Sequence, residues 1–98
     1  MSVNGARGEV GLVIDGTERT LCLTLGALAE IETVLGCSKL KELDLRMRAL
    51  SAQDLLLVLA ALLRGSDSEL AERLGEVVVA PGAAAKAVAR AFALGLGE

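Results

Sequence analysis

Hydrophobic and polar positions change period along this chain, and each change marks an element. From Gly8 to Asp15 they alternate, with Val10, Leu12 and Ile14 on one face and Glu9, Gly11 and Asp15 on the other; Val13 is the exception. From Arg19 to Leu25 they alternate again, Leu21, Leu23 and Leu25 against Thr20, Cys22 and Thr24. Period-two runs on either side of Asp15-Gly16 predict a β-hairpin. A two-residue loop at Asp15-Gly16 would set Leu12 opposite Arg19 and break the apolar face. A four-residue loop over 15–18 sets Ile14 opposite Arg19, Leu12 opposite Leu21 and Val10 opposite Leu23. A one-residue slip would turn every side chain over, so the longer loop, or a bulged equivalent, is the expected register.

The period then becomes helical. Thr24 is placed to cap a helix over Leu25–Leu35, with Gly36 as its stop. Leu25, Leu28, Ile31 and Leu35 share one face at ~100° per residue, widened by Ala27 and Val34. Glu30 and Thr33 point away, whereas Glu32 falls inside the apolar sector. Ser38 caps a second helix, Lys39 to about Ala49, whose inner stripe is Leu40, Leu43, Met47 and Leu50; Leu45 stands alone among its charges.

The third helix is the most apolar. Ser51 and Asp54 form a capping-box pattern, Leu55 to Leu63 carries no polar residue, and Arg64-Gly65 closes the run. A helix apolar on every side is buried by its own domain or by a partner. The run falls well short of the ~20 residues needed to span a bilayer. It is therefore assigned to the core, as the one element that the hairpin and the other helical faces can share. Ser66-Asp67-Ser68-Glu69 gives a second capping box for a short helix through Leu74, ended by Gly75. Glu76 to Ala80, with Val77-Val78-Val79, is expected as an irregular link. Pro81 suits the first turn of a last helix, from about Gly82 to Leu94, with Ala85, Val88, Ala89, Phe92 and Leu96 as its apolar face and Lys86 and Arg90 outside. The expected fold is α+β, mainly α: an N-terminal β-hairpin packed on a four- to five-helix bundle with a central apolar helix. Residues 8–96 form one domain, and residues 1–7 are a flexible N-terminus.

Composition sharpens this in two ways. The 98 residues are 53% hydrophobic but only 1% aromatic, Phe92 alone, so the core must be aliphatic and its helices must approach closely. Surplus aliphatic surface is also available to a second chain. Net charge is −3, and Lys and Arg are scattered without neighbouring aromatics, which argues against nucleic acid as a partner. No membrane contact is expected. With no signal peptide read at the start, Cys22 and Cys37 are expected as free thiols in a reducing cytoplasm, each a small buried hydrophobe.

A search for chemistry returns little. The chain has no histidine, which removes His-based catalysis and His-containing zinc sites. The glycines have neither Walker nor Rossmann spacing. Serines 38, 51 and 66 are explained as helix caps. No catalytic, cofactor or metal residue is assigned, and no enzyme activity is expected. Glu32 is the one carboxylate that needs a partner, because a charge in an apolar sector is costly unless paired. It is a structural ion pair, with Arg19 or Arg46, or a Glu at the edge of the face reaching water, or else a buried anchor for a partner's arginine or backbone. On the structural reading Glu32→Gln lowers stability and Glu30→Gln hardly does.

The order of Arg7-Gly8-Glu9-Val10, Ala27-Leu28-Ala29-Glu30-Ile31-Glu32, Leu50-Ser51-x-x-Asp54 and Leu63-Arg64-Gly65, followed by an Ala-rich helix, resembles the small gene transfer agent family proteins of alphaproteobacteria. These are grouped with phage tail assembly chaperones and tail tube-associated proteins. The resemblance covers roughly residues 7–96. It implies a non-enzymatic role in building a phage-like tail in the cytoplasm of a bacterial host. The partner it implies is the tape measure protein, a long aggregation-prone helical chain kept soluble until tube subunits polymerise along it, or another tail protein. A structural tail component retained in the particle and an unrelated helical adaptor that dimerises are the alternative readings. Glu32, Leu45, Val77, Val78, Val79 and Phe92 are the candidate partner-binding residues, and a second copy of the chain is a further candidate partner.

Overall fold

The computed structural model describes residues 8–97; the expected flexible N-terminus, residues 1–7, lies outside them. Two strands, β1 (Glu9–Ile14) and β2 (Thr17–Cys22), form an antiparallel hairpin. Five helices follow: α1 (Leu25–Leu35), α2 (Leu40–Met47), α3 (Ala52–Leu63), α4 (Ser68–Glu72) and α5 (Pro81–Gly95), with a single 3-10 turn at Leu74–Glu76 between the last two. This is the α+β, mainly α, hairpin-and-helices architecture expected from the sequence.

The hairpin register is not the expected one. Ile14 pairs with Thr17, Leu12 with Arg19 and Val10 with Leu21, so the loop is the two residues Asp15-Gly16. Turn chemistry decided this. Asp15 and Gly16 both take positive φ, 53° and 83°, as a type I′ turn demands and as Asp-Gly readily supplies. The cost foreseen for this register was an arginine opposite Leu12. It is relieved from outside the hairpin, because Arg19 reaches Asp67 at 3.3 Å. Ser66 also donates its hydroxyl to the Thr20 carbonyl at 2.7 Å, and the Asp15 N–H donates to the Val78 carbonyl at 2.8 Å. The hairpin is thus fixed at three points to the segment between α3 and α5.

The core is aliphatic. Val10, Leu12, Ile14 and Leu21 of the hairpin meet Ile31 and Leu35 of α1 and Val58, Leu59, Leu62 and Leu63 of α3. α3 touches α1, α4, α5 and β2, which is the central position expected of it. Its capping box is formed as expected: Asp54 N–H donates to Ser51 Oγ at 3.1 Å, and Ser51 N–H reaches the Asp54 carboxylate at 3.4 Å. Burial is not complete, however. Leu56 and Leu57, in the N-terminal half, are 40% and 38% exposed, because the neighbouring elements cover the C-terminal half first.

Other helices depart from the expected faces in instructive ways. Thr24 caps α1 by accepting from the Ala27 N–H at 3.0 Å, and Gly36 ends it in the left-handed region at φ 71°. Leu25, the first helical residue, projects past the core and is 83% exposed. Ser38 does not cap α2: Lys39 stands at that position, and Ser38 instead donates its hydroxyl to Glu42 at 2.8 Å. Leu40 is exposed where an inner position was expected, leaving Leu43 as the buried residue of α2. The short helix is capped by Asp67 rather than Ser66, whose hydroxyl is used on the hairpin, and it stops at Glu72. The link Val77–Ala80 is irregular, as expected. Pro81 opens α5.

The ion pairs reverse the expectation for Glu30 and Glu32. Arg64 holds the Glu30 carboxylate with two parallel bonds, Nε to Oε1 at 3.0 Å and Nη2 to Oε2 at 2.9 Å, and gives Nη1 to Glu72 at 2.6 Å. Glu32 is half-buried and pairs with neither expected partner: Arg19 is on Asp67 and Arg46 on Asp54. It is not fully buried, so the cost foreseen for it is reduced, while Glu30 takes the α1–α3 link. Glu30→Gln is therefore expected to lower stability by about 1 kcal/mol, the value for a two-pronged pair discounted for partial exposure. Glu32→Gln is expected to stay within about 0.5 kcal/mol. Urea midpoints of the two variants, at unchanged slope, check the order; equal midpoints would contradict it.

Candidate functional site

A cleft lies between α2 and α5, and it follows from how each helix is held. At the end of α1 the left-handed Gly36 reverses the chain, and the Cys37 N–H closes the turn on the Glu32 carbonyl at 2.8 Å. α2 then rests on α1 through Leu43. Arg46 pins the far end, donating to the Leu35 carbonyl at 2.9 Å and to Asp54 at 3.1 Å. One guanidinium thus ties α2 to the end of α1 and the start of α3.

α5 is held elsewhere. Its buried residues are Ala84, Ala87, Val88 and Ala91, so a side made largely of alanine faces the interior and lets its backbone approach the hairpin. The approach is tight at Gly95, where an added Cβ would fall 2.7 Å from the Cβ of Leu23, the residue that follows β2. The face expected to be buried, Ala85, Val88, Ala89, Phe92 and Leu96, is turned by part of a helical turn. Only Val88 is fully inside, Phe92 is half-buried, and Ala85, Ala89 and Leu96 are exposed.

That displaced face and the α2 stripe look at each other across an open cleft. Met47, Leu50, Leu55, Ala85, Val88, Ala89 and Phe92 line a volume of about 390 Å³, with Asp44 and Arg48 on its rim. A second hollow of about 130 Å³ follows, bounded by Leu40, Leu43, Met47, Phe92, Ala93 and Leu96. The only charges at the lining, Asp44 and Arg48, pair with each other at 3.3 Å. A pocket for a small polar ligand directs several polar groups at one point; this cleft has an aliphatic floor. Its chemistry suits apolar side chains.

The sequence-based candidates are not gathered in one place. Phe92 lies in the cleft. Leu45 is 64% exposed and borders a different hollow with Ser38, Lys39, Lys41 and Glu42. Val79 lines a third hollow with Ala52, Leu55, Leu56, Leu59, Pro81 and Ala84. Val77 is half-buried, Val78 is 76% exposed with its carbonyl engaged by the hairpin turn, and Glu32 is half-buried. The cleft residues that are not among the sequence-based candidates are Met47, Leu50, Leu55, Ala85 and Ala89. Met47, Leu50, Ala85 and Ala89 belong to the two apolar helix faces that the sequence predicts, each of which needs a cover.

Titration is perturbed along the edge of α2. The hydrogen bond from Arg46 is the largest cause holding the Asp54 carboxyl below its ordinary value. Glu42 is lowered chiefly by the Ser38 hydroxyl and then by the Ser38 N–H. The hydrogen bonds that Arg64 donates to Glu30 and then to Glu72 raise its guanidinium above the ordinary value. A carboxyl lowered in the folded state contributes stability above its unfolded value, and that contribution is lost as pH falls through the folded value. For Asp54→Asn, the deficit relative to the parent chain should be present at neutral pH and shrink as pH drops below about 4. Urea midpoints against pH test this; a deficit that grows in acid would contradict it.

Among the described residues no three His, Cys, Asp or Glu side chains are grouped so as to hold a metal ion, and no helix is long and apolar enough to cross a membrane. Fold and cleft together define a small α+β domain whose accessible features are apolar faces and surface ion pairs. The family model described as phage tail tube protein, GTA-gp10, matches residues 7–97, and the chain belongs to that family. It is a protein of phage or gene-transfer-agent tails. No curated protein and no solved structure matches it significantly.

Proposed function

We propose that the chain is a non-enzymatic tail-assembly protein that binds the tape measure protein in the host cytoplasm and keeps its apolar helical segments from aggregating until the tube forms around them. The observation that supports this reading best is the open aliphatic cleft between α2 and α5. It gathers apolar side chains of α2, α3 and α5 along one hollow, as a helix laid in a groove requires. In this reading Phe92 is the central contact. Leu45 and Val78, exposed elsewhere, are outlying contacts, with Glu32, Val77 and Val79 behind them. The test is co-expression with the tape measure protein, followed by pull-down and measurement of its soluble fraction. Retention of soluble tape measure in complex is expected, weakened by Phe92→Glu. Insoluble, unbound tape measure would end the reading.

The family's description as a tail tube protein supports a second reading, a structural component retained in the particle. Mass spectrometry of purified particles separates the two. A chaperone leaves before the tail is complete, whereas a tube-associated subunit is recovered with it.

A further inference from the structure

The cleft is uneven along its length, and the unevenness is self-complementary. α2 and α5 run antiparallel across it. Leu40 and Leu43, at the start of α2, face Phe92 and Leu96, at the end of α5, across the narrow hollow of about 130 Å³. Met47 and Arg48, at the end of α2, face Ala85 and Ala89 across the wide hollow of about 390 Å³, which continues over Leu50 and Leu55. Asp44, Met47, Ala89 and Phe92 line both, so the two form one groove. From Ala85 to Leu96 it is about 16 Å long. At its narrow end two leucines stand out into solvent, Leu40 at 54% and Leu96 at 45% exposure. One end therefore protrudes and the other is hollow. The α2 rim between them carries one acid and one base a turn apart, Asp44 and Arg48, both largely exposed. Together they are neutral and favour neither an acidic nor a basic partner. A two-fold axis passing between them does use them, because it sets Asp44 of each copy opposite Arg48 of the other.

We propose that the groove is closed by a second copy of the chain, laid antiparallel across a two-fold axis through the Asp44–Arg48 pair. Leu40 lies six residues from the middle of that pair, about 9 Å along the helix axis. The rotation carries it the same distance the other way, past the end of α2 and into the wide hollow over Leu50 and Leu55. Leu96, about 10 Å from Ala89 along α5, is carried likewise to the Ala85 end. Each copy's leucines then enter the other's hollow, as an isologous interface requires, and the rim charges form two reciprocal pairs. Apolar burial supplies the association, while the pairs fix register and orientation more than they add affinity. The proposal goes beyond the tape measure reading without depending on it. Both occupants use one cleft, so a tape measure helix would displace the second copy.

Sedimentation equilibrium of the full chain over a range of concentrations provides the test. A monomer–dimer equilibrium is expected. Leu40→Asp or Leu96→Asp should abolish it without altering thermal unfolding, since both side chains already stand half in water. Asp44→Arg and Arg48→Asp each bring like charges together across the axis. Each should weaken the dimer about tenfold at low salt, the size expected for two exposed pairs lost, with the effect shrinking at high salt. Mixing these two charge variants gives the most specific readout. One copy then presents two bases and the other two acids, and heterodimers should form about as tightly as the parent dimer. A chain that stays monomeric would overturn the proposal. So would a dimer indifferent to the leucine variants, or charge variants that pair no better mixed than alone. A monomeric chain whose binding to tape measure is lost on Phe92→Glu would assign the cleft to the tail protein instead. A dimer that behaves as described beside unbound tape measure would leave the dimer standing and end the tape measure reading.

Discussion

Leu62→Ala is expected to cost about 2–5 kcal/mol of folding stability, the range for removing a leucine from a closed core. Leu62 is 1% exposed, on the helix that touches α1, α4, α5 and β2. Neighbours fixed from several sides cannot all move in to fill the space it would leave, which places the cost in the upper part of the range. Domains of this size are stable by only about 5–15 kcal/mol, so the change would lower the melting temperature by roughly 10–30 °C. Leu57→Ala, on the same helix but 38% exposed, should cost much less. Thermal and urea unfolding of the two variants make the comparison. Similar losses would mean that α3 is not enclosed as described.

Gly95→Ala should also destabilise, against the usual trend for helices. Alanine is favoured over glycine in a helix interior by about 1 kcal/mol. At Gly95 the new methyl would stand 2.7 Å from Leu23 Cβ and 2.9 Å from its Cδ2. The first of these is not a flexible tip that could swing aside. Overpacking of this kind costs about 1–3 kcal/mol, and at the last residue of the helix the propensity gain is smaller than in its middle. Gly82→Ala, in the first turn of the same helix, has nothing within 4 Å of the added carbon and should be neutral or slightly stabilising. Opposite signs for one substitution at the two ends of α5 are the expected result; equal signs would remove the close approach from the account.

The fold class was legible because its signals are local. Alternation around Asp15-Gly16, the Thr24 and Ser51 caps, the Gly36 stop and Pro81 each act within a few residues. What escaped depends on distant parts of the chain. Matching apolar faces argued for a longer hairpin loop, and only Asp67, far along the sequence, makes Arg19 acceptable opposite Leu12. Likewise Glu30 and Glu32 could not be ranked until the end of α3 brought Arg64 beside one of them. The site was half legible. Both stripes that line the cleft were read as apolar faces. However, α5 also has the side Ala84, Ala87 and Ala91, and an Ala-rich helix gives two nearly equal choices of inner face. Close packing against the hairpin favoured the smaller side, which left Phe92 to the cleft.

The contact between α5 and β1 joins residues 81–95 to residues 9–14. During synthesis, Val10, Leu12 and Ile14 leave the ribosome long before the helix that covers them, and a lone two-stranded hairpin is marginally stable. The order of translation and the order of folding therefore diverge. The earliest structure to be made gains part of its cover last, and a chain ending before Pro81 would show its hairpin more open to proteolysis than the full chain does. Closure between distant segments also slows folding relative to a helical bundle of similar length.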